Sequence, residues 1–330
     1  MSDGRSRSPG ELKLVTGEFD RALALLRGLG LRLDVIYPAD DPLTAVLTHA
    51  DVTVRLTSQP DAPLLLAELP AFQPEFVLSL AGGPANEGRA GMQYRDLIPG
   101  RLGGRYIASH ITIAHGGPVS DWVHYHRVAF QMICVRKGWV RVVYEDQGEP
   151  FVMHPGDMVL QPPGIRHRVL ESSSGLEVVE VSSPALHETF ADHDMVLPNK
   201  RIDHHRDFGG QCFLHHVAAE MPWTAWHGAQ TQETRMKAAT GGLADVRTLR
   251  PGESREMAFR AHDGELVFGF VLAGSACLDR DESYRLGPAD AFVIPPGETW
   301  RLVEPSADLR LLHVATATAS KPLSNPSVFL

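Results

Sequence analysis

Apolar positions near the N-terminus fall at helical spacing and then change to alternation. Between residues 18 and 29, apolar side chains recur every three or four positions before two glycines, which predicts a helix. Residues 31–37 alternate like a strand, and residues 44–47 and 51–56 predict a strand pair around a short turn. Residues 1 to about 12 are polar and predict a disordered tail.

Short alternating segments separated by Gly and Pro turns occupy most of the remaining chain. Residues 105–114 carry isoleucines on one face, residues 132–135 and 139–144 predict a hairpin, and residues 176–181 predict an apolar closing strand. Residues 60–91 are rich in Pro, Gly and Ala and predict a linker packed over the unit that follows. Beyond the first helix, the chain is therefore expected to be mostly β.

The chain contains an internal repeat. Residues 113–116 align with residues 249–252, and His126 aligns with His262 at the same offset. Similarity at one fixed period indicates two tandem copies of one β unit. A Pro-Pro-Gly turn recurs with a slightly different loop length at residues 162–164 and 295–297.

Two histidines in the first copy are two residues apart. On a strand, His124 and His126 project from one face, and two imidazoles on one face can bind a single metal ion. His167 follows a Pro-Pro-Gly turn, where a new strand is expected to begin. Gln131 has the opposite parity, so it joins the site only through a turn, a bulge or a place on the next strand. The sequence predicts a mononuclear site of these four residues, with Gln131 either ligating through its carbonyl oxygen or hydrogen-bonding a bound water.

The segments around these residues resemble the paired motifs of the cupin superfamily. The resemblance covers residues 105–182 and implies a small antiparallel β-barrel with a metal in its mouth. Three features depart from the family pattern: the spacing after Gly117, Gln131 in place of Glu, and Glu171 in place of Asn. The matching positions are His124, His126, Gly138, Gly156, Pro162, Gly164 and His167.

Repeat and resemblance together imply a bicupin, a mostly β chain of two tandem cupin barrels of the double-stranded β-helix or jelly-roll type. The expected units are a small α+β unit at residues 1–75, a metal-binding barrel at 76–200 and a degenerate barrel at 201–330. No metal is expected in the degenerate barrel, because a single histidine cannot hold one. There Arg260 replaces His124, Val267 replaces Gln131 and Trp300 replaces His167, so that only His262 remains.

The N-terminal unit resembles half of a vicinal-oxygen-chelate (glyoxalase-like) module over residues 12–57. Half a module leaves one sheet edge unpaired, and an open edge invites pairing with another chain. The resemblance to cupins also implies dimerisation. The sequence therefore predicts a homodimer or a higher homo-oligomer.

Composition and charge exclude several classes of function. The chain of 330 residues has a formal net charge of −9 and scattered basic residues, which argues against a nucleic-acid partner. It has no apolar run long enough for a membrane span, and its first residues lack the apolar segment of a secretory signal. Cys134, Cys212 and Cys277 lie in apolar, strand-like contexts and predict buried free thiols, which are typical of the cytoplasm.

Gln131 alters the charge expected at the metal. Three neutral imidazoles and an amide leave a divalent ion with its full charge, which favours a small anionic substrate. Arg105 and Arg166 are candidate anchors because arginine grips carboxylates through two hydrogen bonds, although strand alternation turns Arg166 away from the metal. Tyr106 and His110 are further candidates for catalytic residues in the pocket wall.

Three functions fit these patterns. The layout resembles gentisate-type ring-cleaving dioxygenases, which implies Fe(II) and O2 acting on a small anionic aromatic or enolic molecule, although those enzymes lack the Gln131 ligand. Three-His-one-Gln sites resemble those of cupin lyases, isomerases and cyclases, in which Zn, Ni or Mn polarises a carbonyl and stabilises an enolate. The third function is small-ligand binding without turnover. A dioxygenase with one Fe(II) per chain is the leading hypothesis.

Overall fold

The computed structural model describes residues 10–38, 40–59, 68–88, 91–254 and 256–318. Within them strands are the main regular element, and a small α+β unit precedes two similar β units, as the sequence predicts. No helix in this part of the chain is long and apolar enough to cross a membrane.

The N-terminal unit is a four-stranded sheet with one helix packed against it. Phe19 on the helix packs with Leu47 and Leu56 of the sheet to form its core. The prediction of a disordered tail is wrong for residues 10–12, because they begin a strand that pairs in parallel with residues 52–57. Residues 1–9 lie outside the described residues. The elements are β1 Gly10–Val15, α1 Phe19–Gly28, β2 Arg32–Tyr37, β3 Thr44–His49 and β4 Val52–Thr57.

The middle of the chain contains short strands joined by tight turns. Their bounds are β5 Val77–Ser79, β6 Asn86–Glu87, β7 Gln93–Asp96, α2 Arg101–Gly104, β8 Ile107–Ile113, β9 Gly117–Pro118, β10 His124–His126, β11 Phe130–Lys137, β12 Val140–Tyr144, β13 Phe151–Met153, β14 Met158–Leu160, β15 His167–Ser172, β16 Leu176–Ser183 and β17 Thr189–Ala191.

The C-terminal part repeats this pattern. Its elements are β18 Leu214–His216, a 3₁₀ turn Ala218–Glu220, β19 Thr224–Trp226, β20 Ala229–Glu233, α3 Met236–Ala239, β21 Ala244–Pro251, β22 Glu256–Phe259, β23 Leu266–Ala273, β24 Ala276–Asp279, β25 Ser283–Leu286, β26 Ala291–Ile294, β27 Trp300–Val303 and β28 Arg310–Thr316.

Two facing sheets form what we call the first barrel. One contains β17, β10, β15, β12 and β13, and the other contains β14, β11, β16 and β8. The predicted hairpin is wrong, because β11 and β12 belong to opposite sheets and the chain crosses between them at Gly138. Gly138 has φ +76°, and a Cβ there would meet the Ser173 hydroxyl and the Leu176 backbone, so a larger residue at this corner would be strained.

The second barrel is built in the same way and is filled with aromatic and aliphatic side chains. One sheet contains β20, β21, β28, β23 and β26, and the other contains β22, β27, β24 and β25. Phe292, Trp300 and Leu311 lie in the core between them.

The two barrels share a third core, which lies between them. The outer faces of β8, β11 and β16 pack against those of β21, β23 and β28, with Met132, Phe268 and Val314 fully buried. Strands are also exchanged across the predicted unit limits, since β5 pairs with β26 of the second barrel and β18 pairs with β14 of the first. The predicted residue ranges of the units stay a prediction.

The N-terminal sheet continues into the first barrel. β2 pairs with β17, and β17 pairs with β10, so both lie in one sheet with the N-terminal strands. One edge that was predicted to be open is therefore closed within the chain. The opposite edge is β1, whose pairing partner among the described strands is β4.

The three cysteines differ in exposure. Cys134 is fully buried, whereas Cys212 and Cys277 are only half-buried, and all three are free thiols. The prediction of a buried thiol therefore holds for Cys134 alone. The cytoplasmic location stays a prediction.

Candidate metal centre

Three histidines of the first barrel converge on one point. His124 and His126 lie two positions apart on β10, and His167 lies directly opposite His124 on the neighbouring β15. The centroid of the His124 ring lies 5.1 Å from that of the His126 ring and 4.2 Å from that of the His167 ring. One nitrogen from each ring lies within 4.8 Å of the others, and all three side chains are buried. Strand alternation therefore produces the cluster that the spacing predicts.

The backbone fixes the orientation of the rings. Nδ1 of His124 lies 2.8 Å from the Trp122 carbonyl oxygen, and Nδ1 of His167 lies 3.0 Å from that of Ile165. A carbonyl only accepts, so Nδ1 carries the proton in both rings and Nε2 holds the lone pair. His126 shares a 2.9 Å hydrogen bond through Nδ1 with the Thr189 hydroxyl. Metal-binding histidines are commonly held in this way by their second nitrogen.

Gln131 reaches the site from the opposite sheet. The chain leaves β10 at His126 and enters β11 at Phe130, so Gln131 lies on the next strand, one of the placements its parity requires. The Gln161 Nε2 lies 3.2 Å from both Gln131 Oε1 and His167 Nε2. Two acceptor atoms from facing sheets therefore point at one donor. Metal ligation by Gln131 stays a prediction.

Sequence analysis missed the polar residues that surround Gln131. Gln161 accepts a hydrogen bond from the Tyr144 hydroxyl at 2.8 Å, and Glu180 accepts one from Gln131 Nε2 at 3.3 Å. Burial raises the pKa of Tyr144, and the charge of Glu180 adds to this, so Tyr144 remains a hydrogen-bond donor. Glu180 has the same strand parity as the inward-facing Leu176 and Val178 of β16, and this is the one sequence signal that identifies it.

A fourth histidine, His187, lies beside the cluster. Its ring stands edge-on to that of His126, with centroids 5.4 Å apart, and its Nδ1 lies 3.0 Å from the Pro184 carbonyl oxygen. Its place beside the site depends on the loop that follows β16, and no spacing rule predicts it.

A cavity of about 70 Å³ lies inside the first barrel next to the cluster. Its polar end contains His126, His167, Gln161, Tyr144 and Glu180. The rest of the wall is apolar apart from the Tyr94 hydroxyl, with Met92, Ile111, Ile133, Val142, Val159 and Val178 among the lining side chains.

Comparison with known proteins identifies the repeated unit. The family model described as Cupin domain matches residues 109–182 and, again, residues 245–315. Both barrels are cupin domains. The first match contains the three converging histidines and Gln131. Comparison with curated protein sequences gave no match.

Solved structures with two such domains share the overall fold. Ylba from E. coli aligns with a TM-score of 0.53 at 12% identity over 77% of this chain and 95% of its own. An oxalate decarboxylase mutant from Bacillus subtilis aligns with 0.52 at 12% over 81% and 82%. A mutant of salicylate 1,2-dioxygenase from Pseudoaminobacter salicylatoxidans aligns with 0.51 at 18% over 68% and 75%. At these identities the similarity establishes the bicupin fold alone.

In the second cupin domain, bulky side chains occupy the matching positions. Trp300, which replaces a histidine, is 2% exposed and stacks on Phe259 with ring centroids 3.8 Å apart. His262 lies with Nε2 2.9 Å from the Ile294 carbonyl oxygen. Among the described residues, the three histidines of the first domain are the group found with metal-binding geometry. That the second domain binds no metal stays a prediction.

The predicted wall residues Arg105, Tyr106 and His110 lie between the cupin domains and not at the cavity. Arg105 forms two hydrogen bonds with Glu265 of the second domain, and Tyr106 donates to the same carboxylate at 3.0 Å. His110 lies 3.0 Å from Glu177, and burial lowers its pKa. The reason is strand parity, since Ile111 and Ile113 of β8 face the cavity and His110 faces the opposite way.

Arg166 also lies outside the cavity. Its Nε donates to Asp192 at 2.9 Å, and its guanidinium stands 4.3 Å from the centre of the Tyr125 ring. It therefore lies on the face opposite to the neighbouring His167, as strand alternation predicts. The structure does not bring either predicted arginine anchor to the histidines.

Proposed function

We propose that the first cupin domain binds one divalent metal ion and that the protein is a metal-dependent enzyme acting on a small molecule in the adjoining cavity. His124, His126 and His167 supply Nε2, and Gln131 supplies its amide oxygen. The observation that carries this proposal is the convergence of three buried imidazoles, two of which, His126 and His167, line the cavity.

The donor set suits a transition metal. Imidazole nitrogen is a good ligand for iron, nickel, copper and zinc, and an amide oxygen is compatible with iron and manganese. The carbonyl groups that hold Nδ1 of His124 and His167 assign the lone pair of each ring to Nε2, which is the ligand atom a metal would take. We take Fe(II) as the first candidate, with Zn, Ni and Mn as alternatives.

Glu180 and Gln161 support the choice of Gln131 as the fourth ligand. Glu180 accepts from the Gln131 amide nitrogen, so the amide oxygen turns towards the histidine side. The Gln131 oxygen and Nε2 of His167 then converge on a single donor, Gln161 Nε2. A cation requires the same convergence of lone pairs.

Within this frame we propose a non-haem dioxygenase acting on a small enolic or phenolic molecule. A divalent ion here supplies Lewis acidity and, as iron, one-electron chemistry with O2. The apolar walls exclude water and hold the substrate against the histidines. Tyr144 donates to Gln161 and so fixes the amide that faces the metal position.

One observation favours a redox-neutral alternative. The Glu180 carboxylate lines the same cavity and lies one hydrogen bond from Gln131. A carboxylate there can take a proton from a substrate carbon while a bound cation stabilises the enolate, as a lyase or isomerase requires.

Metal analysis followed by O2 uptake separates these functions. The protein is purified without added metal, its metal content is measured, and O2 consumption is followed with phenolic and enolic substrates. Iron with O2 uptake supports the dioxygenase, whereas zinc, nickel or manganese with turnover but no O2 uptake supports the lyase. Iron without O2 uptake counts against the dioxygenase.

A pair of matched variants tests the site itself. His126→Ala is expected to lose the metal, and His262→Ala, the equivalent change in the second cupin domain, is expected to keep it. Equal metal loss from both variants, or failure of the wild-type protein to bind any of these ions, refutes the proposed metal centre.

A further inference from the structure

The cavity beside the proposed metal centre is apolar over most of its surface. Ile111 and Ile113 line it from β8, Val140 and Val142 from β12, and Met153 from β13. These side chains offer no hydrogen-bond donor or acceptor except the weak thioether of Met153. Most polar groups of the wall belong to the cluster around the histidines. The Tyr94 hydroxyl is the exception, and it donates to Met92 Sδ at 3.7 Å. A ligand inside therefore meets polar atoms mainly beside the histidines.

No Lys or Arg lines this cavity among the residues that the structure describes. Arg105 is bound to Glu265 between the cupin domains, and Arg166 is bound to Asp192 on the opposite face of its strand. A carboxylate in the apolar part of the cavity would therefore lack a cationic partner in the wall. Burying a charge without a partner costs far more than burying an apolar group.

The charged side chain that does line the cavity is an acid. Glu180 faces inward from β16 and hydrogen-bonds Gln131 and Ser182. Its negative charge repels a second anion in the cavity and offsets part of the charge of a divalent ion. The full uncompensated charge predicted from the sequence is therefore reduced at this site.

We propose that the cavity selects an uncharged, largely apolar molecule that reaches the metal through one oxygen-bearing end, as a hydroxy ketone or a phenol does, and that it rejects carboxylates. This proposal rests on the proposed metal centre. It replaces the small anionic substrate expected from the sequence. The cavity volume of about 70 Å³ is below the roughly 300–1,000 Å³ typical of ligand pockets, so the ligand is a small molecule.

Two pairs of ligands of matched shape test the selection. Acetoin and lactate differ by a methyl group in place of a carboxylate oxygen, and so do 2′-hydroxyacetophenone, which carries its hydroxyl on the ring, and salicylate. Binding of each to the metal-loaded wild-type protein is measured by titration calorimetry. We expect the uncharged member of at least one pair to bind about tenfold or more tightly than its carboxylate partner. Equal or tighter binding of the carboxylates, or no binding of either uncharged member, overturns the proposal.

Glu180→Gln tests the source of the selectivity. The variant keeps the size of the side chain and removes its charge. We expect the carboxylates to bind it more tightly, so that the affinity ratio of uncharged ligand to carboxylate falls. Glu177→Gln is the control, because Glu177 lies on the same strand but bonds Arg136 and His110 away from the cavity. If this affinity ratio is unchanged in Glu180→Gln, or changes equally in both variants, Glu180 is not the source of the selectivity.

Metal content measured on the same samples keeps the two proposals separate. Metal-free wild-type protein after reconstitution refutes the metal centre, whatever the ligands do. Metal-loaded protein that prefers carboxylates leaves the metal centre in place and refutes the selectivity.

Discussion

Gln131 and Glu180 lie side by side inside the first cupin domain, and Gln131 Nε2 donates a hydrogen bond to Glu180 Oε1 at 3.3 Å. The two residues stand on the paired strands β11 and β16, where Gln131 lies opposite Ser182 and Glu180 is its diagonal neighbour. The sequence suggested a site of neutral groups alone. The structure adds a carboxylate one hydrogen bond away from the proposed ligand.

Gln131→Glu is expected to make metal binding release more protons. The change places two carboxylates within hydrogen-bond distance, which raises the pKa of one of them and keeps a proton between them in the metal-free protein. A divalent ion then displaces about one proton more than in the wild-type protein. Calorimetry in buffers of different ionisation enthalpy measures this number. The double variant Gln131→Glu/Glu180→Gln should return it to the wild-type value, and no extra release in Gln131→Glu would contradict the contact.

Thr189→Val is expected to weaken metal binding about 10- to 100-fold with little loss of stability. The hydroxyl of Thr189 holds His126 through Nδ1 at 2.9 Å, and valine keeps the shape while removing that oxygen. Competition with a chromogenic chelator measures the affinity. Thr231→Val, a buried threonine of the second cupin domain, is the control and should leave the affinity unchanged. Equal effects of the two changes would argue against a positioning role for Thr189.

Arg105→Met is expected to destabilise the fold by about 3–5 kcal/mol. Arg105 and Glu265 pair between the two cupin domains through contacts of 2.8 and 2.7 Å, and both side chains are buried. Removal of the arginine leaves the Glu265 charge buried without that partner. Urea unfolding measures the loss, and Arg105→Met/Glu265→Leu should recover most of it. A double variant less stable than the single one would show that the charges are not the cause.

Stability is expected to fall in mild acid because of His313. Burial in the second cupin domain lowers the pKa of His313 from 6.5 to about 4. As the pH falls, the unfolded chain binds a proton at His313 before the folded protein does. The contribution of neutral His313 to the free energy of unfolding is therefore complete above pH 6.5 and is lost as the pH falls towards 4. The total loss is about 3 kcal/mol. Urea unfolding at several pH values measures the slope. His313→Phe, which suits the stack with Phe259 and Trp300, should flatten it.

A matched control separates His313 from other histidines. His154 is largely exposed, so His154→Gln should leave the pH dependence of unfolding as it is in the wild-type protein. A slope unchanged in His313→Phe would place the acid sensitivity elsewhere.

The open strand β1 predicts a homodimer. Its Leu12 and Val15 are each 53% exposed, and an edge strand with exposed apolar side chains pairs readily with another chain. Leu12→Lys adds a charge at this edge and is expected to shift the protein towards monomer. Light scattering measures the mass. Leu25→Lys, at a position on α1 that is at least as exposed, is the control, and a wild-type monomer would refute the prediction.

The sequence by itself determined the repeated fold and the three histidines. Spacing of two on one strand fixes a shared face, and the turn before His167 fixes where the partner strand begins, so these inferences need only local geometry. The substitutions in the second copy are likewise visible as letters. The place of Gln131 on the next strand was one of the alternatives that its parity allowed.

Only the tertiary structure decided which buried face is the cavity. The sheet of β8, β11 and β16 is buried on both sides, by the cavity on one and by the second cupin domain on the other. An apolar pattern cannot distinguish these two sides, and for that reason His110 and Tyr106 were expected at the cavity wall while Glu180 was overlooked. Convergence of Glu180, Gln161 and His187 on the site comes from segments far apart in the chain, and their contacts exist only once both sheets are packed.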